Sequence, residues 1–173
     1  MTDLIAYPPA IAGLLAVRAV APLGPGVPVH GVRDQLAAID DAAFGRAVNQ
    51  NMAATCRAGL WLAFNFLDES HAISQTAEGV PDYDFWHAIM HRREPDAPNS
   101  KYWWRRVGKH PVLDRLRERA PEVGYEFTTP EAFVDFCERV RNTGTADEET
   151  AKRVQQLEWN LHFAWCFERV VGT

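Results

Sequence analysis

Residues 82–110 read DYDFWHAIMHRREPDAPNSKYWWRRVGKH, and this stretch predicts two consecutive helices, each with an aromatic side suited to a core. It contains three of the six histidines, three of the six tryptophans and six of the eighteen lysine and arginine residues. A helix over 82–93 ends before Pro95, because the residue that precedes a proline disfavours the helical conformation. A second helix begins at Pro98 and ends at Gly108.

The composition is that of an ordinary globular protein. The chain has 173 residues, of which 47% are apolar and 24% charged, so one domain can bury a core without disulfides or metals. A net charge of −5 and a pI near 5.7 argue against a general nucleic-acid or membrane-surface binder. Residues 91–110 nevertheless hold six basic and two acidic side chains. This basic segment indicates a small anionic molecule as partner or, equally, an acidic patch elsewhere in the same protein.

Hydrophobic periodicity predicts an all-α fold: a single-domain irregular helical bundle around a long C-terminal helix. The first long helix is expected over 51–73. The longest follows the capping-box spacing of Thr145 and Glu148 and runs to about Val171, with apolar side chains on two opposite sides, as in a central helix. Its polar strip therefore needs partners inside the bundle, and it comprises Glu158, His162 and Arg169.

The first part of the chain has a different character. Five of the eleven prolines lie in the first 28 residues, which predicts a Pro/Gly-rich N-terminal arm over 1–30 and a helical bundle domain over 31–173.

The start is a poor match to a signal peptide, because Asp3 stands where a basic residue is expected. No apolar run is long enough for a membrane span, and three cysteines without CxxC spacing are typical of reduced thiols. Together these features predict a cytoplasmic protein.

The helix over 82–93 carries an ionisable stripe opposite an apolar one. Spacings of 3, 4 and 3 residues place Asp84, His87, His91 and Glu94 within an arc of about 80°. Two histidines one turn apart can present a pair of metal ligands, and a nearby carboxylate completes the set or orients a ring. Two other interpretations stay open: a hydrogen-bonded or catalytic histidine pair without a metal, and the solvated face of an amphipathic helix.

A third histidine belongs to the same hypothesis. His71 falls on the apolar side of the first long helix, so an imidazole buried there needs a hydrogen-bond partner or a metal. We therefore expect His71, His87 and His91 to bind a divalent metal such as zinc, iron or manganese. Glu94 or Glu69 is the expected fourth ligand or general base. A core histidine bonded to a backbone carbonyl is the alternative for His71.

The second helix of the opening stretch separates basic from aromatic side chains. Its tryptophans face away from its cations and belong in the core. Guanidinium groups at this density suit the capture of a carboxylate or phosphate, so the basic side is the expected substrate site. Its residues are Lys101, Tyr102, Arg105 and Arg106. Ion pairs with acidic side chains of the same protein are the structural alternative.

The segments LDESHAISQ, FWHAIMHRREPD and NSKYWWRRVGKHP resemble a motif set of an uncharacterised group of bacterial proteins, over about Met52 to Leu116. That resemblance implies no activity. The three histidines are also distantly similar to those of DinB-like helical bundles, in which histidines from different helices hold a metal. This chain departs from the DinB-like pattern, because His71 lies only sixteen residues before His87. The similarity therefore implies architecture alone.

Several common catalytic motifs do not occur in the chain: it has no Walker loop, GxGxxG, GxSxG or HExxH. The leading hypothesis is a small cytosolic metal-dependent enzyme, hydrolase- or transferase-like, that acts on a small anionic substrate. The alternative is a non-enzymatic binding module in which the basic helix over 99–109 binds an anionic ligand or a protein partner. A third interpretation is that the whole segment is structural.

Overall fold

The computed structural model describes residues 5–45 and 49–171, and all regular secondary structure within these ranges is helical, as predicted. Short 3-10 helices connect several of the α-helices. Within the described ranges the α-helices are α1 (Pro9–Ala16), α2 (Arg33–Ala37), α3 (Gln50–Ala63), α4 (Leu67–Ser74), α5 (Pro81–Arg93), α6 (Ala97–Val107), α7 (Pro111–Arg119), α8 (Pro130–Val140) and α9 (Ala146–Val171). None of these helices combines the length and apolar character that a membrane crossing needs.

The segment predicted as one helix over 51–73 forms two helices, α3 and α4. Between them Asn65 adopts a left-handed backbone conformation with a φ of 66°, which interrupts the helical path. Its side chain is held on both sides. The Nδ2 atom donates to the carbonyl oxygen of Val27 at 2.9 Å, and the Oδ1 atom accepts from Arg93 at 2.5 Å. Long-range hydrogen bonds, which no local pattern encodes, therefore stabilise the break.

Helix α5 lies in the interior of the bundle. Every residue from Tyr83 to Arg93 is buried, and α5 packs against α3, α4 and α6. Only 2% of His87 and 6% of His91 is exposed. Three members of the ionisable stripe, Asp84, His87 and His91, are therefore not a solvated face, because α4 and α6 cover them. Glu94, at the end of the stripe, is exposed.

Helix α9 is central, as its two apolar sides predict, and it contacts α3, α7 and α8. Two members of its polar strip find partners inside the bundle. Glu158 is fully buried and accepts hydrogen bonds from Arg92 of α5 at 2.5 and 3.2 Å. His162 is also fully buried, and its Nε2 lies 3.1 Å from the carbonyl oxygen of Asp82. Polar contacts across the core thus join α9 to α5.

The capping interaction expected before α9 is present. Thr145 Oγ1 accepts from the backbone N–H of Glu148 at 3.3 Å. The Glu148 carboxylate accepts from the backbone N–H groups of Asn142 and Gly144, at 3.1 and 2.8 Å. Three of the N–H groups that precede or open α9, those of Asn142, Gly144 and Glu148, are therefore paired by side chains.

The described part of the predicted N-terminal arm lies against the bundle. Ile11, Leu14 and Leu23 are buried in the common core. Arg93 of α5 donates to the carbonyl oxygens of Gly24 and Pro25, both at 3.2 Å. The segment therefore contributes apolar side chains to the core, and hydrogen bonds from the buried Arg93 guanidinium hold its backbone against the bundle.

We expect the buried ion pair between α5 and α9 to be a major contribution to stability. Glu158→Ala leaves the buried Arg92 without its carboxylate, and such a loss costs about 3–5 kcal/mol. The matched control is Glu122→Ala, which breaks an exposed pair with Arg119 and should have little effect. Urea denaturation followed by tryptophan fluorescence measures both variants. Equally small losses in the two would contradict this role.

Candidate metal centre

Three imidazole rings meet between α4 and α5. His71 belongs to α4, while His87 and His91 lie on successive turns of α5. The ring centroids of His71 lie 4.7 Å from His87 and 5.3 Å from His91, and those of His87 and His91 are 4.9 Å apart. One nitrogen atom from each ring lies within 4.8 Å of those from the other two. His71 is only half-buried, so it connects the cluster to the surface.

His87 is the most enclosed of the three rings. It stacks on the indole of Trp103 with centroids 3.8 Å apart, and its Nδ1 atom is buried without a hydrogen-bond partner among the described residues. Burial, followed by the neighbouring rings of His91 and His71, lowers the pKa of His87 to about 3. The ring is therefore neutral near pH 7, and one of its nitrogens keeps a free lone pair. An unpaired buried polar atom is unfavourable unless a ligand pairs with it.

His91 is oriented by two polar neighbours. Its Nδ1 atom lies 2.8 Å from Oε2 of Glu94, and the amide nitrogen of Asn99 lies 3.2 Å from its Nε2. Burial lowers the pKa of His91, and the Glu94 carboxylate opposes that shift. When Nδ1–H donates to Glu94, the Nε2 lone pair accepts from the Asn99 amide, and a ligand bound at Nε2 would replace that contact. This is the arrangement in which a carboxylate orients a metal-binding histidine.

The two glutamates predicted as fourth ligand or base occupy different positions. Glu94 contacts His91 directly, whereas Glu69 forms an ion pair with Arg33 at 2.6 Å. Both glutamates line an open depression of about 260 Å³ between the N-terminal segment and α4. Glu94 is therefore the carboxylate that acts on the histidine cluster in this conformation.

The cationic side chains predicted to form one basic side of α6 point in different directions. Lys101 reaches α8, where its Nζ lies 2.5 Å from Oδ1 of Asp135. Arg105 is exposed and makes no hydrogen bond or ion pair within the described part of the chain. These two residues lie away from the histidines.

Arg106 instead approaches α5. Its Nε lies 3.6 Å from Oδ2 of the buried Asp84, and its Nη1 lies 3.4 Å from the hydroxyl oxygen of Tyr102. The guanidinium also lies over Trp103, 5.2 Å from the ring centroid. Since the same indole stacks on His87, Arg106 is the predicted cation that the fold brings close to the histidine cluster.

Two contacts of the cluster were missed by the sequence reasoning. The sequence pattern places Asn99 at the start of the second helix and Trp103 on its core side, and predicts no contact with a histidine for either. Both contact a histidine of α5. The available signal was spacing, since residues 99, 103 and 106 fall on one side of a helix. The spacing shows that the three residues share one side of α6, but it does not show that α5 packs against that side.

A second polar cluster lies at the start of α5. His110 Nδ1 accepts from the backbone N–H of Val112 at 3.2 Å, so its Nε2 carries the proton that is donated to Asp82 Oδ1 at 3.1 Å. His162 Nε2 lies 3.7 Å from Cys166 Sγ. Burial raises the pKa of the Cys166 thiol well above its usual value, which keeps it protonated. A helix-capping histidine and a buried protonated thiol are typical of a structural network.

Comparison with known proteins adds no assignment. No protein-family model, curated protein or solved structure gives a significant match to the chain. The resemblance to the bacterial motif group and the similarity to DinB-like bundles therefore stay predictions.

Stability should depend on pH through His162. Burial lowers the pKa of His162 to about 3, below the ordinary value of 6.5. Between these values the unfolded chain binds more protons than the folded one, so stability is lost as the pH falls. The loss is at most about 1.4 kcal/mol per pH unit for one histidine.

His162→Gln removes this contribution, and its amide can still donate to the carbonyl oxygen of Asp82. We therefore expect a shallower dependence of the unfolding free energy on pH.

Urea denaturation at several values between about pH 6.5 and pH 4.5 measures this slope. The control is His30→Gln, which changes an exposed histidine and should keep the wild-type slope. If His162→Gln has the same slope as the wild-type protein, His162 is not held neutral by the fold.

Proposed function

We propose that this chain is a small metal-dependent enzyme, hydrolase- or transferase-like, that acts on a small anionic substrate. In this proposal His71, His87 and His91 bind one divalent metal. The observation that supports it best is the convergence of their three nitrogen atoms within 4.8 Å of one another. The unpaired Nδ1 of His87 adds to this support, because a buried imidazole without a partner is otherwise unfavourable.

The residues fit the ion. Imidazole nitrogens bind zinc at about 2.0–2.1 Å, so nitrogens around one tetrahedral ion are roughly 3.4 Å apart. The observed nitrogens lie within 4.8 Å of one another, so the rings would have to rotate closer together to bind one ion. Three protein ligands leave one position for water or substrate, which is the composition of catalytic zinc sites. Iron and manganese also accept imidazole and carboxylate ligands. When bound, such an ion supplies Lewis acidity and an activated water.

The carboxylates have separate roles in this proposal. Glu94 accepts a hydrogen bond from His91 Nδ1–H, which would leave Nε2 as the nitrogen that binds the ion in place of its contact with Asn99. The Glu94 side chain is 53% exposed, so its second oxygen is accessible as a general base. Glu69 can take either role only after it leaves Arg33. Arg106 is the cation best placed to hold an anionic substrate, because it is packed beside His87 through Trp103.

The alternative is a non-enzymatic binding module that uses the basic helix α6. The exposure of Arg105, which has no ion-pair partner within the described ranges, favours this second candidate. A module of this kind leaves the histidines dispensable. Metal content therefore distinguishes the two functions.

Elemental analysis of protein purified without a histidine tag tests the proposal. We expect about one divalent metal per chain, because the three histidines form one cluster and supply the protein ligands of one metal site. His87→Ala and His91→Ala should lose the metal. The matched control is His30→Ala, an exposed histidine outside the cluster, which should retain it. Added zinc should raise the Tm of the wild-type protein and of His30→Ala but not of His87→Ala.

The metal-loaded protein is then assayed against phosphate and carboxylate esters, with turnover expected to disappear in His87→Ala. Two results together would refute the proposal: no stoichiometric metal in the wild-type protein, and wild-type stability in both histidine variants.

Glu94→Gln should weaken metal binding without removing it. The substitution keeps the size of the side chain but replaces the charged acceptor of His91, and loss of such a partner typically weakens metal affinity about tenfold to hundredfold. Glu69→Gln is the matched control, since Glu69 contacts Arg33 rather than a histidine. Zinc titration in competition with a chromogenic chelator measures both affinities. Equal affinities in the two variants would mean that Glu94 does not orient His91.

A further inference from the structure

Site residues of α5 and α6 meet in pairs whose order reverses along the two helices, as in an antiparallel arrangement. The pairs are Asp84 with Arg106, His87 with Trp103, and His91 with Asn99. Consecutive pairs are separated by about one helical turn, or roughly 5 Å along α5. The histidines occupy the second and third pairs, and the charged contact occupies the first.

Arg106 has unused hydrogen-bonding capacity. Its contacts with Asp84 and the Tyr102 hydroxyl are long, at 3.6 and 3.4 Å. Arg93, by contrast, donates four hydrogen bonds of 2.5–3.2 Å. A guanidinium carries five N–H donors, and 36% of the Arg106 side chain is exposed. Donors of Arg106 are therefore available to a ligand that reaches α6 from solvent.

Packing fixes where that cation lies. The Trp103 ring contacts both the Arg106 guanidinium and the His87 imidazole, so it sets the spacing between them. The exposed Tyr102 packs edge-on against Trp103, with centroids 5.2 Å apart, and Arg106 also lies over its ring. The exposed ring of Tyr102 therefore lies at the surface beside Arg106, where it suits contact with a hydrocarbon chain.

We propose that Arg106 binds a terminal oxyanion, a carboxylate or a phosphate, of a substrate whose reacting group lies at the other end, at the histidine cluster. This inference rests on the proposed metal-dependent function. Asp84 precedes His87 by three residues and His91 by seven, so its partner Arg106 lies about 5–10 Å along α5 from the histidines. One oxyanion does not span both positions. The substrates are therefore elongated organic anions, in which the charged group directs binding and does not react.

Hydroxamates test this arrangement, because the hydroxamate group chelates the metal while a variable tail reaches toward Arg106. The zinc-loaded protein is titrated with hydroxamates that end in a methyl, carboxylate or phosphonate group, over a series of chain lengths. At one intermediate length we expect a charged tail to bind about tenfold more tightly than the methyl tail. Arg106→Ala should lose this preference. The matched control is Arg105→Ala, the adjacent exposed arginine, which should keep it.

Arg106→Lys retains the positive charge without the planar fork, so it should keep part of the preference even if Arg106→Ala folds poorly. Zinc content and circular dichroism are measured for each variant. A preference for one of the two charged tails supports the inference and identifies the oxyanion. Equal binding of charged and methyl tails by the wild-type protein, or a preference that survives in Arg106→Ala, overturns it and leaves the metal site intact. Failure of every hydroxamate to bind overturns the proposed metal-dependent function instead.

Discussion

The buried ion pair between Arg92 of α5 and Glu158 of α9 is the contact on which the rest of the structure depends. Both side chains are fully buried, so each charge has lost its hydration and is stabilised mainly by the other. The carbonyl oxygen of Arg92 also accepts a hydrogen bond from Arg141. Rotation of α5 about its axis separates these groups. The pair therefore fixes which side of α5 faces α4 and α6, and with it the direction of His87 and His91.

The adjacent Arg93 extends that constraint to α4. It donates to the carbonyl oxygen of Leu62 and to the side chain of Asn65, so the junction of α3 and α4 is tied to α5. This junction sets where α4, and therefore His71, lies relative to the other two rings. One stretch of α5 thus carries both the cations that hold the bundle together and the histidines of the candidate site. Ligands presented by helices anchored in this way are suited to a pre-formed metal site.

Helix geometry made part of the site predictable. His87 and His91 lie one turn apart on α5 whatever surrounds them, because a four-residue spacing repeats the direction of a side chain. The sequence pattern predicts His71 on one long helix over 51–73, whereas it belongs to the separate helix α4. The basic residues show the opposite outcome. Lys101 and Arg106 share a broad polar arc of the predicted helix. In the structure they turn in different directions, because Lys101 pairs with Asp135 of α8 and Arg106 contacts Asp84 of α5.

Local patterns by themselves determined the helical content, the central position of α9 and the pairing of His87 with His91, because periodicity and capping act over a few residues. Only the tertiary structure decided that α5 is covered on its ionisable side, which turns an amphipathic pattern into a buried histidine cluster and lowers the pKa of His87. The physical reason is that desolvation and ion pairing depend on partners far away in sequence, as with Arg92 and Glu158, 66 residues apart.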